Sequence, residues 1–298
     1  MNAAPATPDE RDAALNLLVA HRPPADRNRA ADRYRELFST GGLDPAGLFV
    51  SRDAAGAIRG AMMATVMPGA LGLVWPPVAA RRTSQDVKDS LVEAACRWLR
   101  GCGVKVCQAF GGDLDRDAFA PLERIGFRHL TKLVDLRCEL IPEPESDSRL
   151  HFEPVNETNR GAFDTALLAS YEGSLDCPEV NGTRTQNELL AAYAGADTSL
   201  WYLARRLGEA AGVVLVEADR ESAGSVLSYL GLAPKFRGSG LGTELVSFAL
   251  RTARIAGHVS MVLSVDERNR PALHLYETLG FQASGARSVF LAEWPARS

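Results

Sequence analysis

A stretch of 37 residues occurs twice in this chain at a constant offset of 154. Leu91–Phe127 aligns with Leu245–Phe281 without a gap, and 11 positions are identical, among them Leu91/Leu245, Arg97/Arg251, Gly103/Gly257, Glu123/Glu277, Gly126/Gly280 and Phe127/Phe281. A repeat that long implies one helix–strand–helix unit used twice, and so two copies of one α/β fold in tandem. The 298 residues suit that reading, because a domain takes roughly 150. Hydrophobic residues at 46% and charged residues at 23% allow each copy a core and exclude a mainly disordered chain. The net charge of -4 offers no basic excess for a nucleic-acid backbone.

The order of elements supports the tandem. Thr7-Pro8-Asp9-Glu10 reads as a capped helix start. Strand-like runs follow at 48–51, 58–66 and 70–75, then an amphipathic helix from Asp89 to Arg100, a strand at 104–110 and a short helix ending at Gly126-Phe127. Residues 141–149, rich in Pro, acids and Ser, read as a linker between a domain at 1–140 and one at 150–298. After it the order restarts, with strands at 201–205, 211–217, 226–232 and 259–265, helices at 240–255 and 271–279, and a last strand at 288–294. Gly60–Ala80 is uncharged, but Pro68, Pro76 and Pro77 would break a spanning helix, so two buried strands with a turn at Pro68-Gly69 are expected and no membrane partner. Cys96, Cys102, Cys107, Cys138 and Cys177 form no CxxC pair, and no His spacing completes a zinc site. No metal is expected, and reduced thiols with no secretory leader point to the cytoplasm.

The sharpest local signal is Arg237-Gly238-Ser239-Gly240-Leu241-Gly242, between a strand and a helix. Alternating glycines bend the backbone tightly and leave its N–H groups uncovered. At a helix N-terminus those groups attract phosphate, and Arg237 adds positive charge. The loop therefore reads as a pyrophosphate cradle, or as a structural tight turn. It is not a P-loop, since Gly242 is followed by Thr243-Glu244, and the GxGxxG fingerprint fails at Thr243 or Leu245.

Arg-x-x-Gly-x-Gly after a strand resembles the cofactor motif of the GNAT superfamily, the GCN5-related N-acetyltransferases. Leu230-Gly231-Leu232-Ala233-Pro234 looks like the end of that family's fourth strand, and Asn269 and Tyr276 ahead of Leu279-Gly280-Phe281 look like its Asn…Tyr…LGF segment. The resemblance covers about residues 150–295. It implies an α+β fold with a mixed, mostly antiparallel twisted sheet, and acetyl-CoA as co-substrate. Leu230, Gly231 and Leu232 would bond the pantetheine arm, Arg237, Gly238, Ser239, Gly240, Leu241, Gly242 and Thr243 would hold the pyrophosphate, and Asn269 would bond the cofactor's arm. Tyr276 would donate a proton to the departing thiolate. Read from the residues alone, the alternatives are a cap for the following helix at Asn269 and a packing role for Tyr276. The acceptor would be a primary amine of a small molecule or peptide, and the protein a monomer or homodimer.

Some family members carry a glutamate base where this chain has Leu263-Ser264-Val265, and Ser264 cannot act as a base at neutral pH. Asp266, Glu172, Asp176 and Glu179 are the alternative acids. Tyr171, Glu172 and Asp176, on the connection after the first helix of the second half, are candidates for acceptor recognition. The missing glutamate favours a rival reading, a regulatory module that senses acyl-CoA without turnover; the retained Tyr276 favours an enzyme. In the first copy the loop at 80–86 has no glycine, Leu122 stands opposite Tyr276 and Asp115 opposite Asn269, so this copy is degenerate. A tandem with one worn copy resembles the mycothiol synthase type. Calorimetric titration with acetyl-CoA is expected to give about one site per chain. Gly240→Asp is expected to abolish it, since a side chain and a negative charge would occupy the phosphate's place.

Overall fold

The computed structural model describes residues 2–80, 85–112, 116–141, 147–219 and 222–294. Most of the linker and most of the first copy's 80–86 loop, as well as Asp115, lie outside the described residues. Two compact units emerge, one of residues up to Leu130 together with those from Ser288 onward, the other of Thr131–Arg287. These differ from the halves read from sequence at 1–140 and 150–298, because the chain's last strand contributes to the first unit.

The first unit contains β1 (Asn2–Pro5), α1 (Arg11–Leu18), α2 (Pro24–Ser39), β2 (Leu48–Arg52), β3 (Ile58–Met67), β4 (Leu71–Val74), β5 (Val78–Ala79), α3 (Gln85–Gly101), β6 (Val106–Gly111) and α4 (Arg116–Arg124). Glu10 reaches back to the Thr7 N–H at 2.8 Å, closing the capping box ahead of α1. The uncharged run becomes β3 and β4, paired Ala64↔Val74 to Met67↔Leu71 across the Pro68-Gly69 turn. Helix α3 buries Val87, Leu91, Ala95 and Leu99 along one stripe. Helix α2 escapes a periodicity reading because Ala31 is its one fully buried residue. Among the described residues no helix is long and apolar enough to cross a membrane.

The strand β7 (Arg128–Glu139) follows, then β8 (His151–Pro154), α5 (Arg160–Tyr171), α6 (Gln186–Ala191), β9 (Trp201–Arg206), β10 (Glu209–Ala218), β11 (Ser225–Leu232), α7 (Leu241–Ile255), β12 (Ser260–Asp266), α8 (Arg270–Thr278) and β13 (Gln282–Glu293). The repeat is visible in these bounds: α4 and α8, and β7 and β13, keep the offset of 154 at both ends. In the second unit β8, β9, β10 and β11 pair antiparallel in turn, and β11 pairs parallel with β12. A core of Val214, Leu245, Ala249, Met261 and Leu263 packs α7 and α8 on one face, and Phe163, Leu167, Trp201 and Leu215 pack α5 on the other.

The last strands are exchanged between the copies. Leu133–Glu139 of β7 pairs antiparallel with β12 in the second unit, from Ser260↔Glu139 to Asp266↔Leu133. Ser288–Glu293 of β13 pairs antiparallel with β6 in the first, where Phe290 stacks on Phe119 at 4.3 Å. A fragment of residues 150–298 would thus leave the β12 edge bare and lose Leu136 and Cys138 from the core. Size-exclusion chromatography is expected to find that fragment aggregated. A fragment of residues 131–287, which keeps the strand, is expected to elute as a compact species.

Candidate active site

The sheet of the second unit opens where β11 leaves β12. Their pairing is Ser225↔Met261 and Val226↔Val262, whereas β11 stays paired with β10 as far as Leu232. A bulge beside Leu215/Val216 turns β11 away at this point. Leu230, Gly231 and Leu232 therefore lie on the diverging part of the strand. At Gly231 an added Cβ would come within 2.8 Å of the Ser170 side chain, so only glycine lets the end of α5 close on the strand.

Beyond β11 the chain makes one 3-10 turn, Pro234–Phe236, and enters the glycine loop. Gly238 and Gly240 have φ of 73° and 81°, conformations that side chains oppose. Gly240 is the N-cap residue of α7, and the space where a Cβ of Gly238 would stand is open. Ser239, Gly240 and Thr243 are exposed, Gly242 is half-buried and Leu241 is buried in the core. The Arg237 guanidinium bonds inward instead, to the carbonyls of Leu232 at 2.9 Å and Ser170 at 2.8 Å. It ties the loop to β11 and α5. A different cation stands at the loop: an Arg149 guanidinium nitrogen lies 3.3 Å from where a Gly240 Cβ would be. Glu244 in the first turn of α7 holds that side chain at 2.6 Å. Arg149 carries no local motif, and its place follows from the fold alone.

The candidate acceptor residues part company. The Tyr171 hydroxyl bonds Tyr193 at 2.6 Å and its ring packs on Tyr229, so it serves the interior. Glu172 is exposed at the C-cap of α5. Asp176 reaches the end of β12, where its Oδ1 accepts the Asp266 N–H at 2.8 Å. Burial pushes the Asp176 carboxyl upward; this bond opposes the rise and the Asp266 charge adds to it.

Asp266 itself is fully buried and fully engaged. It accepts from Thr131 at 2.6 Å, from the Cys177 N–H at 3.2 Å and from the Arg268 guanidinium at 2.7 Å. Burial would raise its carboxyl, but Arg268 and Thr131 hold it down at about 2. Arg268 also grips Glu179 at 2.8 and 3.0 Å. Three of the four alternative acids, Asp266, Glu179 and Asp176, thus help pin the 174–180 loop onto β12. The strained backbone of Cys177, with φ of 43°, sits in that knot, its thiol pushed up by burial and by the neighbouring acids.

Tyr276 on α8 is buried against Phe281, with ring centroids 5.4 Å apart. Burial raises its hydroxyl and the Asp176 charge raises it further, so the two groups lie within electrostatic reach. Asn269 is the N-cap residue of α8, where its Oδ1 accepts the Ala272 N–H at 3.3 Å, which leaves the Nδ2 group to donate. In the first copy Leu122, the counterpart of Tyr276, is buried in the core and has no hydroxyl.

Ser264 bonds a carboxylate that sequence order conceals. Its cross-strand partner is Asp135 on β7, and Ser264 Oγ donates to Asp135 Oδ1 at 2.5 Å. Arg287 donates to Ser264 Oγ at 2.7 Å and pairs with Asp135 at 3.2 Å. Side chains alternate along a strand, so this trio shares a face with Asp266 and the loop pinned there.

Residues 167–281 match the model of the acetyltransferase (GNAT) family. A mycothiol acetyltransferase of Thermomonospora curvata is 38% identical over 166 residues, which is 52% of this chain and 53% of that protein. The chain thus spans about half the length of the curated relatives it matches. A GCN5-related N-acetyltransferase structure from Sphaerobacter thermophilus superimposes with a TM-score of 0.67, covering 98% of this chain and 95% of that one at 18% identity. A tandem GNAT protein from the clavulanic acid biosynthesis pathway covers 100% and 99%, with a TM-score of 0.55 and 16% identity.

The Asp266 knot sets a pH dependence. Its carboxyl is lower folded than unfolded, so the stabilisation is complete above the unfolded value of about 4 and fades as pH falls toward about 2. Asp266→Asn is expected to cost about 2 kcal/mol at pH 7. In thermal melts the gap from wild type is expected to close across that acid window.

Proposed function

We propose, on the match of residues 167–281 to the GNAT family, that the chain is a member of that superfamily and that its second unit moves an acetyl group from acetyl-CoA directly to a primary amine of a small molecule. The observation that carries this reading is the split between β11 and β12 leading into the open glycine loop at the start of α7, with Tyr276 of the same unit within electrostatic reach of Asp176. The loop fits a pyrophosphate, because its positive-φ glycines bare backbone N–H groups at a helix N-terminus. Relatives named for mycothiol support a small-molecule acceptor.

Bound acetyl-CoA would supply an acetyl thioester. Backbone groups of Leu230, Gly231 and Leu232 would bond its arm along the diverging strand, joined by Asn269. The N–H groups of Gly238 to Thr243 would hold its pyrophosphate, with the Arg149 charge beside them. Asp176 would take the proton from the acceptor ammonium, since a carboxyl raised by burial is a stronger base than an exposed one. The Asp135–Arg287–Ser264 trio would present the acceptor with a polar floor in place of a glutamate. Tyr276 stays protonated because of its burial, and so is always present as a donor. A phenol weaker in acid strength than a thiol of about 8.5 acts chiefly by hydrogen-bonding the developing thiolate.

Tyr276→Phe keeps the ring and removes the hydroxyl. Turnover, read as thiol release from acetyl-CoA with amines, is expected to fall roughly 100- to 1,000-fold, while the Kd for acetyl-CoA changes little. Asp176→Asn is expected to remove the acid limb of the kcat/KM profile that wild type shows. Acetyl-CoA binding with no turnover across an amine library would favour the sensor reading.

A further inference from the structure

The second unit holds a cavity of about 610 Å³ at the far end of α7, lined by Arg137, Glu139, Leu140, Arg251, Arg254 and Leu279 among others. Its lining along α7 runs from Ser247 to Arg254, so about six residues of helix, roughly 9 Å, separate its near edge from the glycine loop. Its size is that of a small-molecule pocket. Glu139 holds Arg137 at 2.8 Å, so Arg251 and Arg254 supply the positive charge that makes it a place for an anion.

The duplication supplies an internal comparison. The corresponding cavity of the first unit is 240 Å³, and all five of its lining residues, Glu93, Cys96, Arg97, Arg100 and Ile125, match lining residues of the larger one at the offset of 154. Arg97/Arg251 and Arg100/Arg254 are among the identical pairs, kept although the first copy lost its glycine loop. In the first unit this place holds a ring. The Arg100 guanidinium lies over the Trp294 indole at 4.6 Å, and Phe127 meets that indole edge-on at 6.4 Å. In the second unit Phe281 and Arg254 recur, but the residue in Trp294's position is Leu140. The backbones agree: Trp294 N bonds Lys105 O at 2.6 Å, and Leu140 N bonds Val259 O at 2.9 Å, each the other's counterpart.

We propose that the larger cavity is a binding site for a small aromatic anion, its ring under Arg254 as the indole lies under Arg100, and its charge on Arg251. Leucine in place of tryptophan makes the space. An arginine face prefers an aromatic ring beneath it, and the Arg251 guanidinium suits a carboxylate.

The test titrates the full chain with indole-3-acetate, using indole, acetate and tryptamine as controls. Indole-3-acetate is expected to saturate one site, and each control to bind at least about tenfold more weakly. Arg254→Gln is expected to weaken it about tenfold. Leu140→Trp, which rebuilds the first unit's arrangement, is expected to abolish binding while leaving the acetyl-CoA Kd unchanged, and that second readout shows the variant folded. No saturation below about 10 mM, or binding that neither variant alters, overturns the proposal.

Discussion

Seven consecutive register pairs between β7 and β12 hold the candidate site open. On its other side β12 pairs with β11 at two positions before the strands part. A split in a sheet leaves backbone groups without their ladder, and the strand bordering it must be anchored elsewhere. Here the anchor is a strand that sequence order assigns to the first copy. This gives a physical reason for retaining that strand: without residues 131–139, β12 would have neither a partner on its outer edge nor Leu136 in the core beside it.

The same pairing decides which side chains face the site. Register places Asp135 across from Ser264, and the alternation of β12 puts Ser264 and Asp266 on one face. Asp266 then gathers Thr131, Cys177 and Arg268, while Arg268 gathers Glu179. The loop carrying Asp176 is positioned by this chain of bonds, since few of its own residues are buried. Asp266 organises the site and is spent in doing so. Asp176, beside it, keeps a carboxyl raised by burial, the property that its proposed role as base draws on.

What the sequence made legible was local. The glycine loop announces its turn because positive φ at Gly238 and Gly240 excludes other residues, and the Asn269-to-Tyr276 spacing fits one short helix. The repeat announced two copies of one fold. Partners distant in sequence were illegible. Arg149 reaches Gly240 through Glu244, Asp135 reaches Ser264 across 129 residues, and the exchange of β7 and β13 leaves no trace in composition or periodicity. Arg237 was legible as a cation but not in its aim, because whether a guanidinium meets solvent or two buried carbonyls depends on how α5 ends.

Identity between the copies marks folding more than function. Leu91/Leu245, Val92/Val246, Ala95/Ala249 and Phe127/Phe281 are buried in both units, where volume is constrained whatever the unit does. The chemistry lies where the copies differ at equivalent places. Leu122 faces a core where Tyr276 brings a hydroxyl near Asp176, and Trp294 carries a ring where Leu140 leaves a cavity. Arg97/Arg251 and Arg100/Arg254 depart from the first pattern, being identical yet not buried in a core. A charged pair kept on a half-exposed face is not explained by packing, and in the first unit one of its members covers an aromatic ring. The duplication thus serves as its own control: shared apolar residues mark the fold, and the candidate site lies where the copies differ.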